Sequence, residues 1–379
     1  MELLILAVSL FLFITYAVLI IFYRQSWLNI PDFKPAETAE PITKISIIIP
    51  ARNEEENITA CLDSIINQNY PDHLFEVLLI DDHSTDNTAK IVLSYRQQNV
   101  KLIPLKDFIA PGEINSYKKK AIEIAIQQST GELILTTDAD CIATNNWLQT
   151  IAAFYEKSHP EFIVMPVAIN CSNRFIEIFQ ALDFMTLQGI TGASVYKKFH
   201  SMCNGANLAY TKKAFIAVDG FKGIDKIASG DDMLLLHKIY TRFPDSIAYL
   251  KSAEAIIQTQ PVHSVRQFFS QRIRWASKAD KYDDKRIFAV LLLVYFFNVW
   301  ILALGVGAFF FPIALHLFIV LIAKTIVELL FLFPVAGFFS QIKLLWWFPI
   351  AQPFHVLYTV TAGWLGKFGS YKWKERKVS

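Results

Sequence analysis

The chain has 379 residues, enough for one catalytic domain together with membrane segments. It is 53% hydrophobic and only 18% charged, with a mean hydropathy of +0.34; an ordinary soluble domain carries about 25% charged residues. The net charge of +2 is uninformative by itself, and nothing in the sequence resembles a nucleic-acid-binding motif, so no nucleic-acid partner is expected.

Leu3 to Tyr23 is uncharged and apolar. At about 1.5 Å per residue it can cross roughly 30 Å of hydrocarbon. The start, Met1-Glu2, lacks the basic residues of a signal peptide and Arg24 flanks the far end, so residues 1–26 read as an uncleaved transmembrane anchor.

A cytoplasmic catalytic domain is expected over residues 40–260. The isoleucine-rich run Ile45–Ile49 suits a strand buried on both faces. Pro50-Ala51-Arg52-Asn53 stops it, and Glu54–Asn69 reads as a helix with an acidic first turn. Val77–Ile80 is a second buried strand, ended by Asp81-Asp82-His83-Ser84, with Asp86 placed to cap the next helix. Leu102–Leu105 is a short strand, Ser116–Gln128 a helix, and Leu133–Thr137 a strand running into Asp138. The alternation predicts an α/β fold, a mostly parallel sheet flanked by helices. Ligands of such sheets bind at the carboxyl ends of the strands, where Asp81, Asp82, Asp138 and Asp140 all fall. A further helix is expected over Asp232–Tyr240. The cysteines Cys61, Cys141, Cys171 and Cys203 show no metal spacing and read as structural, reduced thiols.

Residues 261–286 form an amphipathic interfacial segment containing Gln271-Arg272-Ile273-Arg274-Trp275. Residues 287–366 are a transmembrane or re-entrant region. Ile287–Phe311 and Pro312–Phe333 read as spans, whereas Ile342–Leu365 is interrupted by Pro349, Gln352, Pro353 and His355, with Trp346-Trp347 resembling an interfacial belt. Arg266, Arg272, Arg274, Lys278, Lys281, Lys285 and Arg286 precede the first span. Lys367, Lys372, Lys374, Arg376 and Lys377 fill the tail, residues 367–379, so both sides should be cytoplasmic. That requires two crossings plus a re-entrant or interfacial segment, or four short crossings. Lys324 and Glu328, one turn apart inside a span, read either as a self-neutralised pair or as a contact for the polar part of a lipid substrate.

Each acidic cluster has a plain and a chemical reading. Asp138-Ala139-Asp140 is either a solvated turn or a pair of carboxylates holding Mg²⁺ or Mn²⁺ against a diphosphate; the buried strand aimed at it favours the second. Asp81-Asp82 can cap a helix while also accepting hydrogen bonds from a uracil or ribose. Asp231-Asp232 is a helix cap or contains a general base, Asp232, taking a proton from a hydroxyl that attacks an anomeric carbon. Gln271 and Arg274, one turn apart, can hydrogen-bond a diphosphate, and Trp275 offers an apolar plane to an acceptor. Arg/Trp-rich helices also lie on membranes, and both readings can hold together.

In order along residues 44–280 stand Ile47-Ile48-Ile49-Pro50-Ala51-Arg52-Asn53-Glu54, Asp81 to Asp86, Thr137-Asp138-Ala139-Asp140, Asn204-Gly205-Ala206-Asn207, Gly230-Asp231-Asp232 and Gln271 to Trp275. This ordered set resembles a membrane-integrated family 2 glycosyltransferase, inverting and of GT-A type. The resemblance implies that Pro50, Ala51, Arg52, Glu54 and Asp82 hold the nucleotide base and that Asp138 sits near the ribose and diphosphate. It implies Asp140 as the ligand of Mg²⁺ or Mn²⁺, and Lys118 as a donor contact in competition with Lys119 and Lys120. Asp232 is implied as the base, with Asp231 as a neighbour that raises its pKa, although the family's base motif often reads Glu-Asp. Gln271, Arg274 and Trp275 are implied to close over the diphosphate and acceptor, and Gly205 to let the acceptor approach the backbone. The implied partners are a UDP-type nucleotide-sugar donor, a lipid or glycan acceptor and the membrane, with a bacterial inner membrane as the location.

The membrane region is small beside that of cellulose, chitin or hyaluronan synthases. Ceramide and carotenoid glycosyltransferases share the Gln-x-x-Arg-Trp signature. Three alternatives stay open: a processive polysaccharide synthase, a polyprenyl-phosphate glycosyltransferase, whose members generally lack that signature, and an inactive membrane scaffold or nucleotide-sugar sensor.

Overall fold

The computed structural model describes residues 2–35, 40–95, 99–110, 114, 116–200, 202–227, 230–277, 284–368, 371–373 and 376–378. In chain order, α1 (Glu2–Asn29) precedes β1 (Ile45–Ala51), α2 (Ile58–Ile66), β2 (Phe75–Asp81), α3 (Thr88–Leu93), β3 (Val100–Pro104), α4 (Tyr117–Gln128), β4 (Leu133–Thr136), α5 (Trp147–Ser158), β5 (Phe162–Val164), β6 (Val167–Ile169) and α6 (Phe175–Lys197). Then come β7 (Leu208–Thr211), α7 (Lys212–Ala217), α8 (Asp231–Arg242), β8 (Ile247–Tyr249), β9 (Ile257–Thr259), α9 (Val265–Ala276), α10 (Lys285–Gly307), α11 (Ala314–Phe338) and α12 (Phe348–Phe368). These elements form two compact units, Pro31–Ala168 with Ser201–Gln260, and Met1–Ile30 with Ile169–His200 and Pro261–Ser379.

The first unit holds a seven-stranded sheet in the order β3-β2-β1-β4-β7-β5-β8. β3, β2, β1 and β4 run parallel, as repeated strand–helix crossovers require. Ile47, Ile48 and Ile49 of β1 and Val77 to Ile80 of β2 are fully buried, each such side chain contributing about 1.5–3 kcal/mol relative to exposure. The sheet is not wholly parallel, because β7 enters antiparallel to both β4 and β5.

Two predicted boundaries move. β1 continues through Pro50 and Ala51, because its ladder with β4 already stops at Ile48 and a proline lacking an N–H is tolerated there. The helix expected from Glu54 starts only at Ile58. The Glu54 amide instead donates to Thr88 Oγ1 at 2.8 Å and the Glu55 amide to Asp86 at 3.1 Å, which holds the intervening turn open.

In the second unit, α1, α10 and α11 are long and apolar enough to cross a membrane, the three such helices among the described residues. Their outer faces expose Phe11, Phe296 and Phe318, as lipid-facing surfaces do. One of these is N-terminal and two are C-terminal, and the segment after them includes the 85% exposed Trp346. Lys278, Lys281 and Lys374 lie outside the described residues.

Polar side chains fasten these helices together. Trp300 Nε1 donates to Ser9 Oγ at 2.8 Å, and Ser9 Oγ lies 2.8 Å from His316 Nε2. In the middle of α11 the fully buried Lys324 donates to Glu328 at 2.7 Å and to Gln352 at 2.9 Å. Glu328 also accepts from Tyr16 and from Gln352. The cluster closes on itself, which fits the neutralised-pair reading of Lys324 and Glu328. α6, unforeseen as an element, belongs to this unit, so the domain expected as continuous over residues 40–260 is interrupted by residues 169–200. Its Gly189 permits the approach of α11, since a Cβ there would meet Val335 at 2.7 Å.

Candidate active site

The loops after β1 and β2 lock together. Arg52 Nη1 donates to the Asp82 carbonyl at 2.9 Å and stands 4.0 Å from the Asp82 carboxylate. The Asn53 amide donates to Ser84 Oγ at 3.0 Å, and the Thr85 amide donates to Asn53 Oδ1 at 2.8 Å. Asn53 and His83 take left-handed φ values of 52° and 56°, an uncommon conformation for non-glycine residues that often marks functional loops. The His83 ring stands 3.1 Å from both Asp82 Oδ1 and the Ile109 carbonyl, edge-on to Tyr117. Asp81 accepts the Ser84 amide at 3.2 Å. Asp81 closes the turn ahead of the helix rather than capping it, and Asp82 pairs with Arg52 and His83.

Past β4 the second and third clusters converge. Lys118, from the first turn of α4, donates to Asp138 at 2.7 Å and lies 3.4 Å from Asp231. Burial lowers its pKa, but Asp138 and then Asp231 pull harder, so the net shift is upward and the ammonium stays charged. Lys119 is turned away, donating to the carbonyls of Ile224 and Ile227, and Lys120 pairs with Glu123. Gly230, at φ 76°, starts α8. Asp232 there accepts the Gly205 amide at 3.0 Å on one oxygen and the Met233 amide at 2.7 Å on the other. The Lys118 cation offsets the like charge that Asp231 brings to its neighbour.

Asn207 explains why Gly205 sits where it does. Its side chain donates to the carbonyls of Pro166 and Ala255 at 2.7 and 2.8 Å, and accepts from Trp147 Nε1 at 3.1 Å. The buried amide is fully used, and it fixes the loop that presents Gly205 to Asp232.

Asp140 accepts Thr259 Oγ1 at 3.3 Å. Burial, then the charges of Asp138 and Glu54, push its pKa up to about 6. Asp138 is paired with Lys118, whereas Asp140 sits in a field set by burial and by the charges of Asp138 and Glu54. Among the described residues no group of three or more His, Cys, Asp or Glu side chains is arranged as a complete metal shell. One or two carboxylates completed by diphosphate oxygens and water is the arrangement Mg²⁺ or Mn²⁺ takes with phosphate ligands, so the residues fit such an ion.

Gln271, Arg274 and Trp275 lie on α9, in the second unit, and share one helical face by spacing. Gln271 Oε1 accepts from Arg272 at 2.8 Å, and the Trp275 ring lies 4.2 Å from the Arg272 guanidinium. Sequence reasoning assigned no site role to His83, Thr259 or Arg272. His83 stands inside the Asp81–Asp86 motif and Arg272 inside the Gln271–Trp275 motif, whereas Thr259 carried no readable signal.

Two family models match the chain, Glycosyl transferase family 2 over residues 46–218 and Glycosyl transferase family group 2 over residues 133–365. The chain is a family 2 glycosyltransferase. This glycosyltransferase is 25% identical over 268 residues to the probable glycosyltransferase YdaM of Bacillus subtilis, covering 65% of the chain and 57% of YdaM. It is 23% identical over 249 residues to the poly-β-1,6-N-acetyl-D-glucosamine synthase of Staphylococcus epidermidis, covering 62% and 55%. With the poly(ribitol-phosphate) β-N-acetylglucosaminyltransferase TarS of Staphylococcus aureus it shares 35% identity over 124 residues, 32% of the chain but only 20% of TarS. The glycosyltransferase thus spans between a fifth and a little over half of these curated relatives. The solved mannosyltransferase PcManGT of Pyrobaculum calidifontis, in complex with GDP-Man and Mn²⁺, has a similar fold, with a TM-score of 0.58 at 19% identity over 94% of this chain and 97% of that one.

Proposed function

We propose that this enzyme moves a sugar, with inversion, from a UDP-sugar to a lipid or glycan acceptor at a membrane, with its catalytic unit on the cytoplasmic side. The observation that carries this reading is the Lys118 bridge: one ammonium joins Asp138, at the end of β4, to Asp231, beside the base candidate Asp232. Asp82 and Arg52 hold the nucleotide base, Asp138 and Lys118 face the ribose and diphosphate, and α9 supplies Gln271 and Arg274 to the leaving group. Asp232 accepts the proton of the acceptor hydroxyl, whose oxygen bonds the anomeric carbon as the carbon–diphosphate bond breaks. The Gly205 amide orients the Asp232 carboxylate, and Trp275 gives the acceptor an apolar surface. Asp140, with Asp138, would hold Mg²⁺ or Mn²⁺, which when bound supplies charge neutralisation to the diphosphate.

The names of the relatives, N-acetylglucosaminyl transfer to poly(ribitol phosphate), synthesis of poly-β-1,6-N-acetyl-D-glucosamine and, for a poly(ribitol-phosphate) β-glucosyltransferase of Bacillus spizizenii, glucosyl transfer, support UDP-N-acetylglucosamine and UDP-glucose as the first donors to try and leave a glycan acceptor open. The likeness to the synthase also favours a second reading, processive polymerisation. Purified enzyme in lipid nanodiscs, given a panel of labelled UDP-sugars and membrane lipid, tests both by mass spectrometry of the products. One or two sugars on lipid support single transfer, a ladder supports polymerisation, and no nucleoside diphosphate release with any donor would favour a scaffold or sensor.

A further inference from the structure

α9 carries three arginines, Arg266, Arg272 and Arg274, and the reading above uses only Arg274. Arg272 is buried, and each of its three guanidinium nitrogens stands against a polar partner. Nε and Nη2 meet Asp183 of α6 at 2.9 and 2.6 Å, Nη1 donates to Gln271 Oε1 at 2.8 Å, and the flat face lies 4.2 Å from the Trp275 ring and 4.7 Å from Phe268. Asp183 also accepts from the Tyr358 hydroxyl of α12 and has His355 at 4.0 Å. Phe179, Phe268 and Tyr358 pack edge to face around this group, which fixes α6, α9 and α12 to one another.

We propose that Arg272, Asp183 and Tyr358 are positioning residues for sugar transfer, a clamp that orients Gln271 and Trp275; this rests on the roles given to those two residues above. A glutamine can present either end of its amide. With Oε1 committed to a cation, the end that remains for a ligand is the NH₂ donor, the end that an anionic diphosphate oxygen needs. The same guanidinium holds the indole by its face, so ring and amide are set by one group. Asp183 supplies the counter-charge without which Arg272 would not stay buried between them. A planar fork with two donor edges and a stacking face is specific to arginine, and lysine cannot reproduce it.

The test is a mutant cycle on the full chain in nanodiscs, reading UDP release from UDP-N-acetylglucosamine or UDP-glucose, whichever the donor panel selects. Asp183→Asn should lower kcat/KM by about 100-fold and the volume-conserving Tyr358→Phe by about tenfold, the scale expected of small misplacements. Placed on a Gln271→Ala/Trp275→Ala background, both should cost less than about twofold, because the residues they act through are gone. If Gln271→Ala and Trp275→Ala leave turnover unchanged, the site reading itself fails and takes the clamp with it. If those two are costly but Asp183→Asn and Tyr358→Phe cost the same in both backgrounds, the clamp alone is wrong. Tyr358→Phe keeps the test valid should Asp183→Asn not fold, and thermal midpoints of the solubilised variants establish which do.

Discussion

The Lys118 ammonium stands 2.7 Å from a carboxylate oxygen of Asp138. It thereby ties the strand-end cluster to the start of α8, since Asp231 lies 3.4 Å from the same nitrogen. A charge-assisted bond of this kind contributes about 1.5–3 kcal/mol. Lys118→Met should therefore reduce kcat/KM for the donor roughly 10- to 150-fold, measured by UDP release. An unchanged value would remove Lys118 from the site.

Asp232 and Asp231 are adjacent but differently engaged. Asp232→Asn keeps the size but offers one acceptor to the Gly205 and Met233 amides and loses the basic oxygen, so turnover should fall about 10²- to 10⁴-fold. Gly205→Ala is a gentler probe. An added Cβ meets nothing closer than 3.5 Å from Asp231 and Asp232, so the thermal midpoint should hold while the acceptor KM rises. Wild-type acceptor kinetics in Gly205→Ala would show that the acceptor does not approach there.

Asp140 is held in an unfavourable field, its pKa pushed up to about 6 by burial, Asp138 and Glu54. Such strain is expected where a cation is to bind. Asp140→Asn should cost roughly 100- to 1,000-fold in rate yet leave the metal-free protein no less stable. Chelator should silence the wild type, and added Mn²⁺ or Mg²⁺ should restore it. A chelator-resistant enzyme would contradict the metal assignment.

His200 provides a pH signature away from the chemistry. Burial is the main cause that pushes its pKa down from 6.5 to about 4, with Asp284 opposing and Arg286 reinforcing. A lowered folded-state pKa favours the neutral ring, so the stabilisation is complete above pH 6.5 and is lost as pH falls towards 4. The shift corresponds to about 3 kcal/mol. Thermal midpoints of the wild type should drop across that window, and His200→Gln should flatten the slope. Parallel slopes would remove His200 as the cause.

The Lys324–Glu328 pair permits a cycle of its own. Replacing one partner leaves a buried charge uncompensated, at a cost of about 3–5 kcal/mol, whereas replacing both with apolar residues can be nearly neutral. Lys324→Met alone should lower the thermal midpoint in detergent, and Lys324→Met/Glu328→Leu should recover much of it. Loss of transfer in a well-folded double variant would point instead to contact with a lipid substrate.

Much of this was readable along the chain, for definite reasons. β1, β2 and β4 are apolar runs, and β2 and β4 end on Asp or run on into it, so period and punctuation gave both the parallel core and the carboxylates. Asp86 does accept the Thr88 amide, as a capping residue should, although from one position before the cap. The antiparallel β7 escaped notice because four residues carry no period. α6 escaped because its apolar residues surround it on nearly every side, leaving no amphipathic stripe. Arg272 was hidden in plain view within its motif, since what gives it meaning is Asp183, 89 positions earlier. Local pattern is silent about such pairs.

Two glycines on α12 deserve a last consequence. A Cβ on Gly366 would fall 2.6 Å from that of Ala276 at the end of α9, and one on Gly363 would fall 2.8 Å from the Tyr295 ring of α10. Neither residue has chemistry to offer, yet hydrogen is the largest substituent that either gap admits. The helix bearing the indole is thus seated against α12 by an absence of side chain some ninety residues downstream, the second absence seating α10, and a single methyl at Gly366 would act as a shim under the motif.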